Sequence, residues 1–216
     1  MNIVLICGGE IEDSFALSFL DRIRPEYIIG IDRGLEFCYK YNIVPQYILG
    51  DFDSISPEVL SYYESRDIPL ERYKPEKDAT DTRIGLELAL KLKSRKIFLL
   101  GATGGRLDHF IANLKSLLLP LEQGSQPWIL DSQNAITLLD RGTKITKDQQ
   151  FGKYISFFSM GDRVEGVTLK GFKYPLEDYT LLNSEEIGVS NELEDETGEI
   201  TFRSGVVLMI MSKDRN

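Results

Sequence analysis

Short apolar segments alternate with segments of helical periodicity from Asn2 to residue 119, and this alternation limits the possible fold more than any other feature. It predicts strands at Asn2–Cys7, Tyr27–Ile31, Gln46–Leu49 and Lys96–Leu100. It predicts helices over 12–22, 34–41, 57–66, 82–93 and 107–119, the third with Ser56 as N-cap and Pro57 as its first residue. Strands that alternate with helices are typical of a mostly parallel sheet in an α/β domain.

The pattern changes around residues 123–127, after which no long helical period is found. Short β-rich segments separated by glycine follow at Ala135–Leu139, Tyr154–Met160, Val164–Leu169, Glu199–Arg203 and Val206–Met211. We therefore predict an α/β N-terminal domain over 1–124 and a smaller all-β, sandwich-like C-terminal domain over 125–216. The charged run 192–199 is interpreted as the solvated tip of a hairpin.

Charge and scarce residue types exclude several classes of function. The 216 residues include 25 lysines and arginines against 34 acidic residues, a net charge of −9, which argues against a protein that coats nucleic acid or an anionic membrane. One histidine and two cysteines cannot supply a multi-histidine zinc site or a four-thiolate cluster. We recognise no targeting segment and no apolar run long enough to span a bilayer, so we expect a cytoplasmic protein.

Each predicted strand of the first domain runs into glycine or aspartate. The four turns are Cys7-Gly8-Gly9-Glu10, Asp32-Arg33-Gly34, Gly50-Asp51-Phe52-Asp53-Ser54 and Gly101-Ala102-Thr103-Gly104-Gly105-Arg106. One such turn would mean little, because turns of this composition are common at strand ends. Carboxyl ends of parallel strands are where open α/β sheets bind ligands, so four together predict one shared crevice.

The third turn carries two carboxylates, Asp51 and Asp53. Side chains two residues apart in extended chain point to the same side. Paired hard oxygens suit Mg²⁺, which takes one or two protein carboxylates and completes its shell with water and phosphate oxygens. The same spacing also fits an Asx-turn before the next helix, and the motif alone does not decide between the two.

A second acidic segment, Lys77–Thr82, precedes the fourth helix. Asp78 and Asp81 would supply further oxygen ligands, and Lys77 would meet a phosphate as a mobile point charge. Taken alone, the segment fits a capped helix start better, because acidic residues complement the helix dipole there. A second acidic cluster at a strand-to-helix turn of the same domain favours a functional interpretation.

The turn before the fifth helix combines Gly104 and Gly105 with Arg106 and Asp108. Glycines let backbone amides approach phosphates closely, the helix N-terminus favours anions, and arginine offers a forked donor. The adjacent His109 is more typical of a structural hydrogen-bond donor than of a catalyst. Together the turns predict chemistry on a magnesium–polyphosphate substrate and leave the acceptor open.

Read in order, these motifs resemble those of the thiamin pyrophosphokinase (thiamin diphosphokinase) family. The matching segments are Asp32–Gly34, Gly50–Ser54, Lys77–Thr82, Gly101–Asn113, Gly171–Leu176 and Gly188–Glu192. The pattern is similar to bacterial members, because it lacks the tryptophan that animal and yeast members place near the serine-asparagine pair. Trp128 is the single tryptophan and is far from Ser190 in sequence, so the side chain that packs on the thiamin rings stays open.

The resemblance implies transfer of the pyrophosphoryl group of ATP to the hydroxyl of thiamin, giving thiamin diphosphate and AMP. It implies Mg²⁺ held by Asp51, Asp53 and Asp81, with Arg106 and Asp108 completing the catalytic set. Asp81 or Asp108 would orient the acceptor hydroxyl or take its proton. The substrate-binding residues would be Asp32, Arg33, Lys77, Asp78, Thr82, Asn113, Ser190 and Asn191. The resemblance also implies a homodimer with active sites between subunits, in which Ser190 and Asn191 hold thiamin from the partner's β domain.

Three alternatives remain open. Pyrophosphoryl transfer to another hydroxymethyl heterocycle, such as a pterin, would use a similar catalytic half. A nucleotide-sugar transferase with a metal-bound Asp-x-Asp is less favoured, because it rarely needs a second acidic turn and a β domain of this size. A non-catalytic nucleotide or thiamin sensor would tolerate loss of the carboxylates, so the presence of Asp51, Asp53, Asp78 and Asp81 counts against it.

Overall fold

The structure is a computed structural model that describes residues 1–66, 68–72 and 79–215. The chain divides into two units, Met1–Ser132 and Gln133–Asn216. The domain boundary predicted after residue 124 is on the N-terminal side of this division, and it stays a prediction. None of the described helices is long and apolar enough to cross a membrane.

Parallel strands form the sheet of the first unit. They are β1 (Asn2–Ile6), β2 (Tyr27–Ile31), β3 (Tyr47–Gly50), β4 (Leu70–Arg72), β5 (Lys96–Leu100) and β6 (Gln126–Leu130). Within this unit they run in the order β4-β3-β2-β1-β5-β6, and every neighbouring pair is parallel. The chain order reverses at β1, between β2 and β5. This reversal is the topological switch at which open α/β sheets bind ligands.

The helices of the first unit connect these strands. They are α1 (Asp13–Ile23), α2 (Gly34–Lys40), α3 (Pro57–Glu64), α4 (Asp81–Lys91), α5 (Leu107–Ser116) and α6 (Leu118–Glu122). Strand β1 is a continuous apolar run because both of its faces are covered: Ile3, Val4, Leu5 and Ile6 are all fully buried. The sheet therefore holds the turns at its carboxyl edge on a rigid, buried support.

The second unit is built from antiparallel strands. They are β7 (Asn134–Leu139), β8 (Thr143–Thr146), β9 (Tyr154–Ser159), β10 (Arg163–Lys170), β11 (Leu176–Leu182), β12 (Thr197–Thr201) and β13 (Val207–Ser212). Strand β13 pairs with β7 and β9, and a second sheet has the order β11-β10-β12-β8. The buried rings of Phe157 in β9 and Phe172 after β10 meet edge to face, with centroids 5.5 Å apart.

The predicted fold class, α/β followed by antiparallel β, is confirmed. Strands β4, β6, β8 and β11 were not predicted, because β4 and β8 are short, β6 contains Pro127, and Glu177 and Asp178 interrupt the apolar residues of β11. The single helix expected over 107–119 is wrong, since α5 ends at Ser116 and α6 begins at Leu118.

Two local predictions need correction. Ser56 occupies the N-cap position of α3, but its hydroxyl makes no capping hydrogen bond, and its backbone amide instead donates to Glu36 Oε1 at 2.7 Å. The run 192–199 is not simply a solvated tip. Glu192 lies in ion pairs with Lys153 and Lys173, and residues 197–199 belong to β12, which pairs with β8.

Candidate active site

The turns at the carboxyl edge of the parallel sheet contact one another. The amide of Gly9, after β1, donates to the carbonyl of Gly101, after β5, at 2.9 Å. The amide of Asp32, after β2, donates to the carbonyl of Leu49 in β3 at 3.0 Å. A Cβ added at Gly8 would lie 3.2 Å from Cβ of Arg33, so the turns after β1 and β2 are also close. The crevice predicted from the four strand ends is thus a set of touching turns.

Asp32 lies half-buried among the other carboxylates of this edge. Its Oδ1 accepts a hydrogen bond from the amide of Asp51 at 3.1 Å and a longer one from the amide of Phe52 at 3.5 Å. Its carboxyl group is also hydrogen bonded to that of Asp81. Burial, followed by the negative charge of Asp81, raises the pKa of Asp32 to about 7.

The predicted metal ligands Asp51, Asp53 and Asp81 are brought together by two turns. Oδ1 of Asp51 accepts a hydrogen bond from the amide of Asp53 at 3.1 Å. The charge of Asp51 raises the pKa of the exposed Asp53 above its ordinary value, and Asp81, the first residue of α4, contributes to the same shift. Like charges this close repel, and a cation would relieve the repulsion.

The donor chemistry of these carboxylates fits a hard divalent cation such as Mg²⁺. Within residues 1–66, 68–72 and 79–215, however, no group of three or more acidic, histidine or cysteine side chains is arranged to hold an ion. Lys77 and Asp78, also predicted for this site, lie outside the described residues.

Arg106 and Asp108 form an exposed pair at the start of α5. Nε of Arg106 donates to Oδ1 of Asp108 at 3.1 Å, and a second guanidinium nitrogen donates to Oδ2. The guanidinium holds the pKa of Asp108 well below its ordinary value, at about 2, and the amide of His109 donates to the same carboxylate. Asp108 is therefore ionised across the physiological range and fixes the direction of Arg106.

Thr82 and Asn113 support the crevice from behind. The buried hydroxyl of Thr82 donates to Sγ of Cys7 at 3.9 Å, and the buried amide of Asn113 donates to the carbonyl of Ala102 at 3.1 Å. Thr82 thus contacts the turn that follows β1, and Asn113 contacts the turn that follows β5. Arg33, in contrast, is exposed at the N-cap position of α2.

Ser190 and Asn191 lie on the loop between β11 and β12 in the second unit. Ser190 is exposed in the left-handed region with φ 56°, and its amide donates to Oγ of Ser156 at 3.0 Å. Asn191 is only 2% exposed. Its Oδ1 accepts from the amides of Tyr174 and Glu192, and its Nδ2 donates to the carbonyl of Tyr174 at 2.8 Å.

This clamp on Tyr174 was missed by sequence reasoning. Both segments were recognised, Gly171–Leu176 and Gly188–Glu192, but nothing in the sequence indicates that one asparagine joins them. The clamp holds the backbone of Tyr174 while its side chain stays exposed, as do those of Ile187 and Val189 on the Ser190 loop. Exposed apolar residues are therefore found on or next to the two segments that Asn191 joins.

The first unit is a parallel α/β unit with carboxylates at its carboxyl edge, which is where sheets of this class bind ligands, and an antiparallel β unit follows it. A family model for the thiamin pyrophosphokinase catalytic domain matches residues 23–130, and one for the thiamin pyrophosphokinase vitamin B1 binding domain matches residues 142–207. Thiamine pyrophosphokinase of Bacillus subtilis is 33% identical over 186 residues, which cover 86% of this chain and 87% of that protein.

Solved structures agree with these matches. Thiamine pyrophosphokinase from Bacillus subtilis superposes with a TM-score of 0.89 at 30% identity, covering all of both chains. Thiamin pyrophosphokinase from Geobacillus thermodenitrificans superposes with a TM-score of 0.86 at 31% identity, covering 100% of this chain and 99% of that one. The chain belongs to the thiamin pyrophosphokinase family and is an enzyme of that family.

Proposed function

We propose that this protein transfers the pyrophosphoryl group of ATP to the hydroxyl of thiamin in a Mg²⁺-dependent reaction that gives thiamin diphosphate and AMP. The observation that carries the proposal is the series of contacts among carboxylate residues at the sheet edge: Asp32 accepts from the amide of Asp51, Asp51 accepts from the amide of Asp53, and the charge of Asp81 acts on both Asp32 and Asp53. Such a group is suited to a divalent cation that itself binds phosphate oxygens.

The first unit would bind the magnesium–nucleotide complex. Asp51, Asp53 and Asp81 would hold the ion, which when bound neutralises charge on the transferring phosphates. The exposed guanidinium groups of Arg33 and Arg106 would contact the polyphosphate. Lys77, Asp78, Thr82 and Asn113 stay proposed substrate-binding residues, the last two acting through the turns that they support.

The chain's own groups would direct the acceptor. The thiamin hydroxyl oxygen forms a bond to the β-phosphorus in line, while the bond from that phosphorus to the oxygen of AMP breaks and AMP leaves with the electron pair. A carboxylate with a pKa of about 2 accepts protons poorly at neutral pH, so Asp108 would orient Arg106. This favours Asp81 as the carboxylate that orients the hydroxyl or takes its proton.

The second unit would hold thiamin. The exposed Ser190 offers a hydroxyl, and Asn191 keeps the neighbouring backbone in place. Tyr174, with 56% of its surface exposed, is the aromatic side chain that would pack on the rings of thiamin, of which the thiazolium is cationic.

We further propose a homodimer with active sites between subunits. Leu107 and Ile111 are 77% and 47% exposed on α5, next to Arg106, and this apolar face suits a second copy of the chain. Sedimentation that shows a stable monomer at assay concentrations would contradict this part of the proposal.

The test of the reaction is AMP release with thiamin, with a hydroxymethylpterin, or with no acceptor, each in Mg²⁺ and in excess chelator. We expect release only with thiamin and Mg²⁺. Release that follows the pterin would move the function to another heterocycle. Nucleotide binding by calorimetry without release under any condition would indicate a sensor.

A further inference from the structure

The turn that carries Asp51 and Asp53 has an unusual backbone. Gly50 has φ 151° and Phe52 has φ 62°, the latter in the left-handed region that a bulky residue rarely adopts. Phe52 is nevertheless 4% exposed, so its ring anchors the turn to the core. A backbone of this kind persists only where its surroundings hold it in place.

Asp32 provides that support from the neighbouring strand. Its Oδ1 accepts from the amides of Asp51 and Phe52, and its own amide donates to the carbonyl of Leu49 at 3.0 Å. A Cβ added at Gly50 would lie 1.8 Å from that same Oδ1. Gly50 therefore leaves the space that the carboxylate occupies.

Asp32 is itself fixed on its other side. It has φ 46°, and its carbonyl accepts from the amide of Leu35 at 3.0 Å in the first turn of α2. A Cβ added at Gly34 would lie 2.1 Å from the carbonyl oxygen of Ile6, so α2 begins directly against β1. The backbone of Asp32 is thus held by β3 and α2, and this fixes the position from which its carboxylate contacts the turn.

We propose that Asp32 is a positioning residue for the reaction and that it fixes the turn that presents Asp51 and Asp53. This rests on the proposed function, in which those two carboxylates hold the metal, and it replaces the substrate contact expected for Asp32. Because Asp51 also accepts from the amide of Asp53, a shift of the turn moves both carboxylates together. A site loosened by even an ångström loses much of its activity.

The test compares Asp32→Asn with Asp32→Ala. The asparagine keeps an oxygen that accepts from both amides and removes only the titratable group, whereas the alanine removes the acceptor. We expect the asparagine variant to lose about threefold in kcat and the alanine variant about 30-fold or more. The Mg²⁺ concentration for half-maximal activity should rise about tenfold in the alanine variant only. Asp21→Asn and Asp21→Ala, at an exposed position on α1, are the matched controls.

Hydrogen exchange at the amides of Asp51 and Phe52 tests the same inference without a measurement of enzyme activity. Exchange should accelerate in Asp32→Ala and stay close to wild type in Asp32→Asn, with equal thermal unfolding midpoints for the two variants. Equal loss of activity in both variants without faster exchange would overturn the inference in favour of a direct substrate contact. If the wild type does not act on thiamin, the proposed function fails and the exchange data alone decide the role of Asp32.

Discussion

The two regions proposed to bind substrates differ in how their charged groups are arranged: like charges lie together in the first, and opposite charges are paired in the second. At the edge of the parallel sheet the negative charge of Asp51 raises the pKa of Asp53, and burial beside Asp81 raises that of Asp32. On the Ser190 loop the ammonium of Lys173 lowers the pKa of Glu192, and Asn191 is hydrogen bonded through both amide atoms. The first region concentrates like charges, whereas in the second the charged and polar groups are paired within the chain.

The two regions share one backbone device. A Cβ at Gly34 would lie 2.1 Å from the carbonyl oxygen of Ile6, and a Cβ at Gly188 would lie 2.1 Å from that of Phe157. At Gly34 the start of a helix packs against a buried strand, at Gly188 a loop does so, and only glycine permits the close approach. The two regions therefore differ in charge although the same kind of backbone contact anchors both.

The substitution with the largest expected effect removes a carboxylate from the charged region at the sheet edge. Asp53→Asn should lower turnover about 100-fold, because it removes one carboxylate from the proposed metal site and empties no core position. Far-ultraviolet circular dichroism and the thermal midpoint should match wild type. Near-normal turnover at saturating Mg²⁺ would remove Asp53 from the metal site. Asp21→Asn serves again as the control.

Mixing two inactive variants tests whether the two regions act across subunits. When Asp53→Asn and Ser190→Ala proteins exchange subunits at random, half of the dimers are mixed and each holds one intact site. Activity should therefore return to roughly a quarter of wild type. The measurement requires that each variant alone be nearly inactive and that exchange be shown by differently tagged subunits. Proven exchange without recovery would place each site within one chain.

A third substitution removes hydrogen bonds from the Ser190 loop. Asn191→Ala removes the clamp on Tyr174, and we expect the KM for thiamin to rise about tenfold while the KM for ATP stays unchanged. Steady-state kinetics with each substrate varied in turn give both constants. Asn183→Ala, at an exposed position, is the control. An equal rise in both KM values would show that the loop acts on overall stability.

The smallest expected effect is a change in the stability of the metal-free protein with pH. The folded protein keeps a proton on Asp32 up to a pKa of about 7, whereas the unfolded chain releases it near the ordinary value. Stability in chelator should therefore fall as pH rises from 5 to 8, on the order of 1 kcal/mol after solvent screening. Urea unfolding at both pH values measures the loss, and Asp32→Asn should reduce it. An identical loss in that variant would assign the pH dependence to other groups.

The sequence indicated the charged region better than the Ser190 loop, for a physical reason. Carboxylates at the ends of apolar strands follow from local pattern, since parallel strands bring their ends together. That Asp32 supports the Asp51 turn, or that Asn191 clamps Tyr174, depends on which loops touch, and tertiary contacts of this kind leave no periodic signal. Strand β4 was missed because it has three residues, and β11 was missed because Glu177 and Asp178, of residue types depleted in strands, lie within it.

A phosphorus NMR time course with ATP, Mg²⁺ and thiamin tests the proposed reaction most directly. We expect thiamin diphosphate and AMP to appear at equal rates, with no thiamin monophosphate, and chelation of Mg²⁺ to stop the formation of both. Formation of ADP with thiamin monophosphate would contradict transfer of an intact pyrophosphoryl group, and unchanged rates in chelator would contradict a metal at the carboxylate edge.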